Sequence, residues 1–184
     1  MEIKNKIESI KYISEMGLNK FPEELFKRGE EEKVKKFLEK YPAKFYAIRD
    51  KAKHNGVFKL DVERDKILEE IQEYELFTIN VCSGNYPNSQ MLTGDVKITT
   101  DNLVYVTLST NPNDSVRSAY IHPSFNFCTD IFDKRLDEIP DFDYIYEYIY
   151  KHNLTDMVVE FALFNINVGI KNERIIIFEL RTNY

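Results

Sequence analysis

Two glutamates near the end of the chain are the residues whose setting could support chemistry. Glu160 lies in VVEFALF and Glu179 in IIIFELRT, and each interrupts an apolar run that is typical of a buried strand. Side chains alternate along a strand, so Glu160 shares a face with apolar neighbours, and Arg181 shares a face with Glu179, Ile175 and Ile177. Carboxylates on neighbouring strands could together hold a hard divalent cation such as Mg²⁺.

The register between these two strands decides whether the glutamates meet. A turn centred on Gly169 and Ile170 pairs them directly, whereas a turn centred on Asn172 displaces them by a few residues. The sequence leaves both registers open. A plainer interpretation is an outward-facing charge on a half-exposed sheet, with Glu179 and Arg181 forming cross-strand ion pairs worth little energy. On spacing alone, the plainer interpretation is the stronger one.

A second candidate site lies at the end of the segment FYAIRD. A guanidinium at the end of a strand, here that of Arg49, can bind phosphate oxygens through two parallel hydrogen bonds. Lys51 adds positive charge nearby. The following segment, KAKHNG, has one glycine, which is weak support for a phosphate-binding loop, so a solvated turn is the default interpretation.

Composition excludes several classes of protein. The chain has 184 residues, 43% of them hydrophobic, which is enough to bury a sizeable core. Its net charge of -6 and the absence of a basic run argue against nucleic-acid binding. No apolar run approaches the roughly 20 residues of a membrane-spanning helix. The segment MEIKNKIESIKY lacks the apolar core of a signal peptide, so we expect a cytoplasmic protein.

Hydrophobic periodicity then predicts the elements that position these residues. The first half reads as a helix over 2–16 ended by Gly17, a second helical stretch from Pro22 broken at Gly29, and a hairpin of FYAIRD and VFKLDV with its turn at Asn55 and Gly56. A third helix around Ile67 and a strand in LFTINVC follow.

The second half is richer in strands. It reads as the strands MLTGDVKIT and LVYVTLST, an edge strand or irregular strand interrupted by Pro123, a helix in DFDYIYEYIYKHN, and the two strands that carry Glu160 and Glu179. The predicted class is α+β, with mainly antiparallel sheets and flanking helices. We expect one compact domain over 1–184, with two lobes at about 1–75 and 76–184.

Several of these segments, read in order, resemble one known family. GLNKFPEELF, FYAIRD, VFKLDVERDKILEEI, VEFALF and IIIFELRTNY resemble segments of the ATP-binding domain in phosphoenolpyruvate synthase and pyruvate phosphate dikinase, which belong to the ATP-grasp superfamily. The resemblance implies a two-lobed fold that binds ATP and magnesium. It also implies that Arg49 contacts nucleotide phosphates, that Glu160 and Glu179 lie near the metal, and that Arg181 matches a family arginine.

The sequence also departs from the family pattern. Asp50 and Lys51 replace two serines, Glu179 replaces a glutamine and Thr182 replaces a proline. Nothing matches the glycine-lysine-glycine segment that supplies an ATP-contacting lysine, and the family's swivelling phosphohistidine domain and pyruvate-binding barrel have no counterpart here.

Two functional hypotheses follow. The first is an ATP-grasp-like nucleotide-binding protein with ATP and Mg²⁺ as cofactors, and, if it is an enzyme, a Mg-ATP-dependent phosphotransferase. The second is a non-catalytic scaffold or protein-interaction domain that has lost nucleotide chemistry and associates with a partner, or with itself, through an exposed aromatic patch around Tyr144, Tyr148 or Tyr150.

Overall fold

The protein is known from a computed structural model that describes residues 2–3, 5–51, 57–111 and 122–182. Along the chain the elements are α1 (Lys6–Glu15), β1 (Glu23–Lys27), α2 (Glu31–Lys40), β2 (Phe45–Asp50), β3 (Phe58–Glu63), α3 (Ile67–Glu70), β4 (Leu76–Val81), β5 (Gln90–Ile98), β6 (Leu103–Ser109), β7 (Phe125–Asp130), α4 (Phe142–Lys151), β8 (Val158–Val168) and β9 (Glu173–Arg181). The class is α+β with two antiparallel sheets, as the sequence predicts.

These elements form two compact units that do not follow chain order. The first unit comprises Met1–Lys20 together with Asn88–Tyr184, and the second comprises Phe21–Pro87. Helix α1 therefore belongs with the C-terminal half of the chain. No helix in the described part is long and apolar enough to cross a membrane.

The second unit is a four-stranded antiparallel sheet in the order β1-β4-β2-β3. Helix α2 covers one face, where the ring of Phe37 meets Phe26 at 5.7 Å and Phe26 meets Phe77 at 5.9 Å between centroids. Strands β2 and β3 form the predicted hairpin, whose turn at Asn55 and Gly56 lies outside the described residues.

The helix predicted from Pro22 is wrong at its start, because residues 23–27 form strand β1. Pro22 followed by two glutamates resembles a first helical turn. However, Phe26 pairs with Phe77 of β4 and is fully buried between the sheet and α2. Gly29, at a φ of 86°, then turns the chain into α2.

The first unit is built on a five-stranded antiparallel sheet in the order β7-β6-β5-β8-β9. Side chains from α1, α4 and four of its strands form one buried apolar cluster, whose strand members include Val96, Val159, Phe161 and Ile177. β7 is an edge strand, as predicted, although residues 112–121 before it lie outside the described part.

Asn19 fixes the hairpin of β8 and β9. Its Nδ2 donates to the carbonyl oxygens of Val168 at 2.9 Å and Ile175 at 2.7 Å, with a longer bond to that of Glu173 at 3.2 Å. Its Oδ1 accepts from the backbone N–H of Lys171 at 2.8 Å. A fully buried amide thus satisfies backbone groups on both sides of the turn, which holds the two strands in one register.

Candidate functional site

The register of the last two strands places Glu160 directly opposite Glu179. The next pair along is Phe161 with Ile177, so Phe178 is an extra residue in a β-bulge. Simple alternation put Glu179 on one face with Ile175 and Ile177, and the structure corrects this. The bulge turns Glu179 away from those two core residues and towards the face that carries Glu160.

A third carboxylate lies in the same line across the sheet. Asp95 of β5 pairs directly with Glu160 of β8, and Glu160 pairs with Glu179 of β9. Directly paired residues in antiparallel strands point to the same face. Asp95, Glu160 and Glu179 therefore form a row of acidic residues on adjacent strands, which we refer to as the acidic row.

Among the described residues of this unit, two cations lie against the acidic row. The Nη2 of Arg181 is 2.8 Å from Asp95 Oδ2, and its Nε is 3.9 Å from Glu179 Oε1. The Nζ of Lys6, in α1, is 3.2 Å from Glu179 Oε2. The Glu179 side chain is only 11% exposed, so these charges are screened less than a surface pair would be. Arg181 and Glu179 are thus part of one charge network that also includes Asp95 and Lys6.

The donor set suits a hard cation, although it does not form a complete protein cage. Within the described residues, no three His, Cys, Asp or Glu side chains converge as a metal-binding group. Mg²⁺ is typically bound by one or two carboxylates together with water and substrate phosphates. A pair of glutamates can provide the carboxylates. Asp95 Oδ1 is buried and has no hydrogen-bond partner in the described part of the chain, so the acidic row retains an unused oxygen.

In the second unit, Arg49 lies in another row that crosses the sheet. Leu25 of β1, Thr78 of β4, Arg49 of β2 and Phe58 of β3 are consecutive direct partners and so share one face. This is the face opposite Phe26 and α2. The Arg49 guanidinium stacks over the Phe58 ring at 4.4 Å from its centroid.

Thr78 adds an unused polar group to this row. The residue is only 4% exposed, and its Oγ1 has no hydrogen-bond partner among the described residues. Buried hydroxyls are normally paired, so Thr78 Oγ1 has unused hydrogen-bonding capacity next to the Arg49 guanidinium. Lys51 follows β2 two residues after Arg49 and is half-buried.

An open groove of about 610 Å³ also lies in the second unit. Its lining includes Leu38 of α2, Lys44, Arg64 and Leu68, whereas Arg49 and Lys51 do not line it. The predicted site residues of this unit thus lie on the sheet and outside the groove.

The predicted aromatic patch on α4 is wrong in one of its three members. Tyr148 is only 4% exposed, and its hydroxyl oxygen accepts a hydrogen bond from the backbone N–H of Asn19 at 3.1 Å. Tyr150 is exposed, and Tyr144 is half-buried under the guanidinium of Arg174. Tyr148 therefore contributes to the core, because its helix packs that side onto the sheet.

Solved structures identify the fold. MdnC, a macrocyclase from Microcystis aeruginosa MRC bound with the precursor peptide MdnA, matches with a TM-score of 0.51 at 14% identity, covering 98% of this chain and 53% of that one. The ADP complex of the N5-carboxyaminoimidazole ribonucleotide synthetase purK matches with a TM-score of 0.51 at 12% identity, covering 100% and 45%. The fold is that of ATP-grasp enzymes.

A further ATP-grasp structure agrees with these two. The N5-carboxyaminoimidazole synthetase of Staphylococcus aureus complexed with ADP has a TM-score of 0.51 at 13% identity, covering 98% of this chain and 44% of that one. The chain therefore spans about half the length of the ATP-grasp structures that it matches. No protein family and no curated protein matches the sequence.

Three residues of these sites escape analysis of the sequence. Asp95 lies in an alternating strand, where it reads as an ordinary solvent-facing charge, and Lys6 reads as part of the polar face of a helix. Thr78 lies inside an apolar run. The strand order β5-β8-β9 and the packing of α1 against β9 bring the first two to Glu160 and Glu179. The alternation of apolar and polar residues around Asp95 is the one local signal, and it indicates only which face of the strand Asp95 occupies.

Proposed function

We propose that the chain binds ATP together with Mg²⁺, and that Glu160 and Glu179 are the protein ligands of the metal. The observation that carries this proposal is the direct pairing of the two glutamates on the last two strands of an ATP-grasp fold. A β-bulge at Phe178 and the buried amide of Asn19 both accompany the register in which the two glutamates face each other.

Bound at this position, Mg²⁺ would neutralise phosphate charge and orient the phosphate chain. The side chains have complementary roles. The carboxylates of Glu160 and Glu179 accept the cation, and Arg181 offers a buried Nε–H that has no hydrogen-bond partner among the described residues. A guanidinium donor of this kind suits a phosphate oxygen.

In the second unit, Arg49 and Lys51 are the proposed phosphate-binding residues. The Phe58 ring contacts the Arg49 guanidinium at 4.4 Å from its centroid, and this contact reduces the conformational entropy that the side chain loses when it binds an anion. The unpaired hydroxyl of Thr78 lies next to it and can donate to the same ligand.

Phosphoryl transfer from ATP to an acceptor is the reaction that such a site supports, because positioning and charge neutralisation supply most of its catalysis. Two of the similar proteins are synthetases solved with ADP. An ATP-dependent ligase or synthetase activity is therefore proposed before a simple phosphotransferase. The narrower likeness to phosphoenolpyruvate synthase and pyruvate phosphate dikinase, and the cytoplasmic location, stay predictions.

The melting temperature with ATP, in the presence and absence of Mg²⁺, tests this function. Ligand that binds only the folded state stabilises it by RT ln(1 + [L]/Kd), or about 2.7 kcal/mol at a hundredfold excess over Kd. We expect a Mg²⁺-dependent rise in the wild type that is lost in Glu160→Gln and in Glu179→Gln.

Glu147→Gln is the matched control, since Glu147 lies exposed on α4 and its loss removes one negative charge elsewhere in the same unit. It should respond to Mg-ATP as the wild type does. A wild type that shows no rise at millimolar Mg-ATP, or glutamine variants that retain the full rise, would contradict the proposal.

A further inference from the structure

The carboxylate of Glu179 is held between two cations of its own chain. Lys6 Nζ lies 3.2 Å from Oε2, and Arg181 Nε lies 3.9 Å from Oε1, so each oxygen has a cationic nitrogen within 4 Å. The side chains are 11% exposed for Glu179 and 24% for Lys6. A divalent cation that bound Glu179 would therefore approach two fixed positive charges in a partly desolvated place.

The two cations differ in how firmly they are held. Arg181 is also bonded to Asp95 at 2.8 Å, so its guanidinium has a second anchor. Lys6 lies in the first turn of α1 and forms an ion pair with Glu179. Its ammonium is carried on a long, flexible side chain. The helix has its own attachments, since Leu180 N donates to Ser9 Oγ at 2.7 Å and Asn5 caps the N-terminus. Lys6 can thus withdraw without loss of α1.

We propose that Lys6 is a resident counter-ion of the metal position. It neutralises Glu179 when no divalent cation is bound, and it leaves Glu179 when one binds. The inference rests on the proposed function, because it takes Glu179 as a metal ligand. A counter-ion at this position makes the site select Mg-nucleotide over free Mg²⁺. Free Mg²⁺ must displace Lys6 unaided, whereas the phosphates of a bound nucleotide offset the repulsion between Mg²⁺ and the Lys6 ammonium.

Calorimetric titration with Mg²⁺ alone, without nucleotide, tests the proposal on the full chain. Lys6→Met keeps the apolar stem and removes the charge. It should bind Mg²⁺ at least tenfold more tightly than the wild type, because a charge pair at 3.2 Å corresponds to roughly a tenfold change in affinity even at the dielectric constant of bulk water. Lys6→Arg keeps the charge and should bind as the wild type does.

Lys11→Met is the control on the same helix. Its ammonium is 75% exposed and pairs with Glu15 at 3.7 Å, so its removal should leave Mg²⁺ affinity unchanged. The melting temperature of each variant without metal shows that α1 remains folded, and Lys6→Gln provides a second neutral variant should Lys6→Met fold poorly.

Equal or weaker Mg²⁺ binding by both neutral Lys6 variants would overturn the proposal, as would the absence of Mg²⁺ binding in every variant. The proposed function fails on a different result, namely a wild type that Mg-ATP does not stabilise. The two failures are therefore distinguishable.

Discussion

His152, at the end of α4, is a titratable group whose burial has a measurable consequence. Its ring packs on Tyr148 with 4.4 Å between centroids, and its Nε2 is buried without a hydrogen-bond partner among the described residues. Burial, with a smaller contribution from Lys151, lowers the pKa of His152 below the usual 6.5. Protonation is therefore less favourable in the folded state than in the unfolded chain.

The sign of the pH dependence follows from linkage. Below the unfolded pKa, the unfolded chain binds more protons at this position, so the stability present at neutral pH is lost as the pH falls. We expect the melting temperature to fall between about pH 7.5 and about pH 5.5, and to fall less in His152→Gln. His122, which is exposed, gives the control variant His122→Gln. Parallel pH profiles for wild type and His152→Gln would refute the assignment.

Asn19 contacts the β8–β9 turn through side-chain hydrogen bonds to residues far along the chain. Asn19→Ala should destabilise the chain by about 3 kcal/mol in chemical denaturation, because several buried backbone groups of the β8–β9 turn lose their partner. Asn126→Ala, at an exposed position of β7, should cost little. A loss at Asn19 no larger than that at Asn126 would show that the turn holds its register unaided.

At this same scale, the sequence reveals residue types but not their partners. Glu160, Glu179 and Arg181 can be selected because a charge in an apolar strand is unusual. Asp95 and Lys6 cannot, since both stand in ordinary polar positions of amphipathic elements and meet Glu160 or Glu179 only through contacts distant in sequence.

Strand β5 is the central strand of its sheet, between β6 and β8. Gly94 has a φ of 143°, and a Cβ there would lie 2.1 Å from the backbone oxygen of Thr107. Gly94→Ala should therefore destabilise the first unit by about 3 kcal/mol, through backbone strain and displacement of β6. It would also shift Asp95, its neighbour in the acidic row.

Gly29 offers the comparison for this variant. Its φ is 86°, but a Cβ there would meet nothing within 4 Å, so Gly29→Ala should cost only the backbone strain of about 1 kcal/mol. Urea denaturation of the two variants separates strain from steric clash. Equal losses would mean that β6 accommodates the methyl group without cost.

Element types were predictable where the period was long and consistent, as in α1, α4 and the last two strands. The error at β1 has a physical cause. Five residues are too short to display a period, and the burial of Phe26 comes from pairing with Phe77 some fifty positions later. The bulge at Phe178 escaped prediction for a similar reason, since only the partner strand defines it.

For the whole molecule, the two units should differ in autonomy. Residues 21–87 contain a complete sheet with its own core, and the rings of Phe21 and Tyr86 stack at 5.6 Å, so the ends of this segment lie together. A fragment of residues 21–87 should unfold cooperatively in a circular-dichroism melt.

A fragment of residues 88–184 should not unfold cooperatively, because residues 1–20 supply Ile13 and Leu18 to its core and Ser9 to its edge strand. Adding a peptide of residues 1–20 should restore a transition to this fragment. If residues 88–184 alone melted as the full chain does, α1 would be dispensable to the first unit.

The pairing of α1 with β9 also has a consequence for the order of events during synthesis. Ser9 and its partner Leu180 are 171 positions apart. At about 5–20 residues per second, the ribosome would need roughly 10 to 30 seconds to supply the partner strand. The apolar side of α1 stays open to water or to chaperones for that interval. All four strands of the sheet in residues 21–87 have been synthesised well before the interval ends.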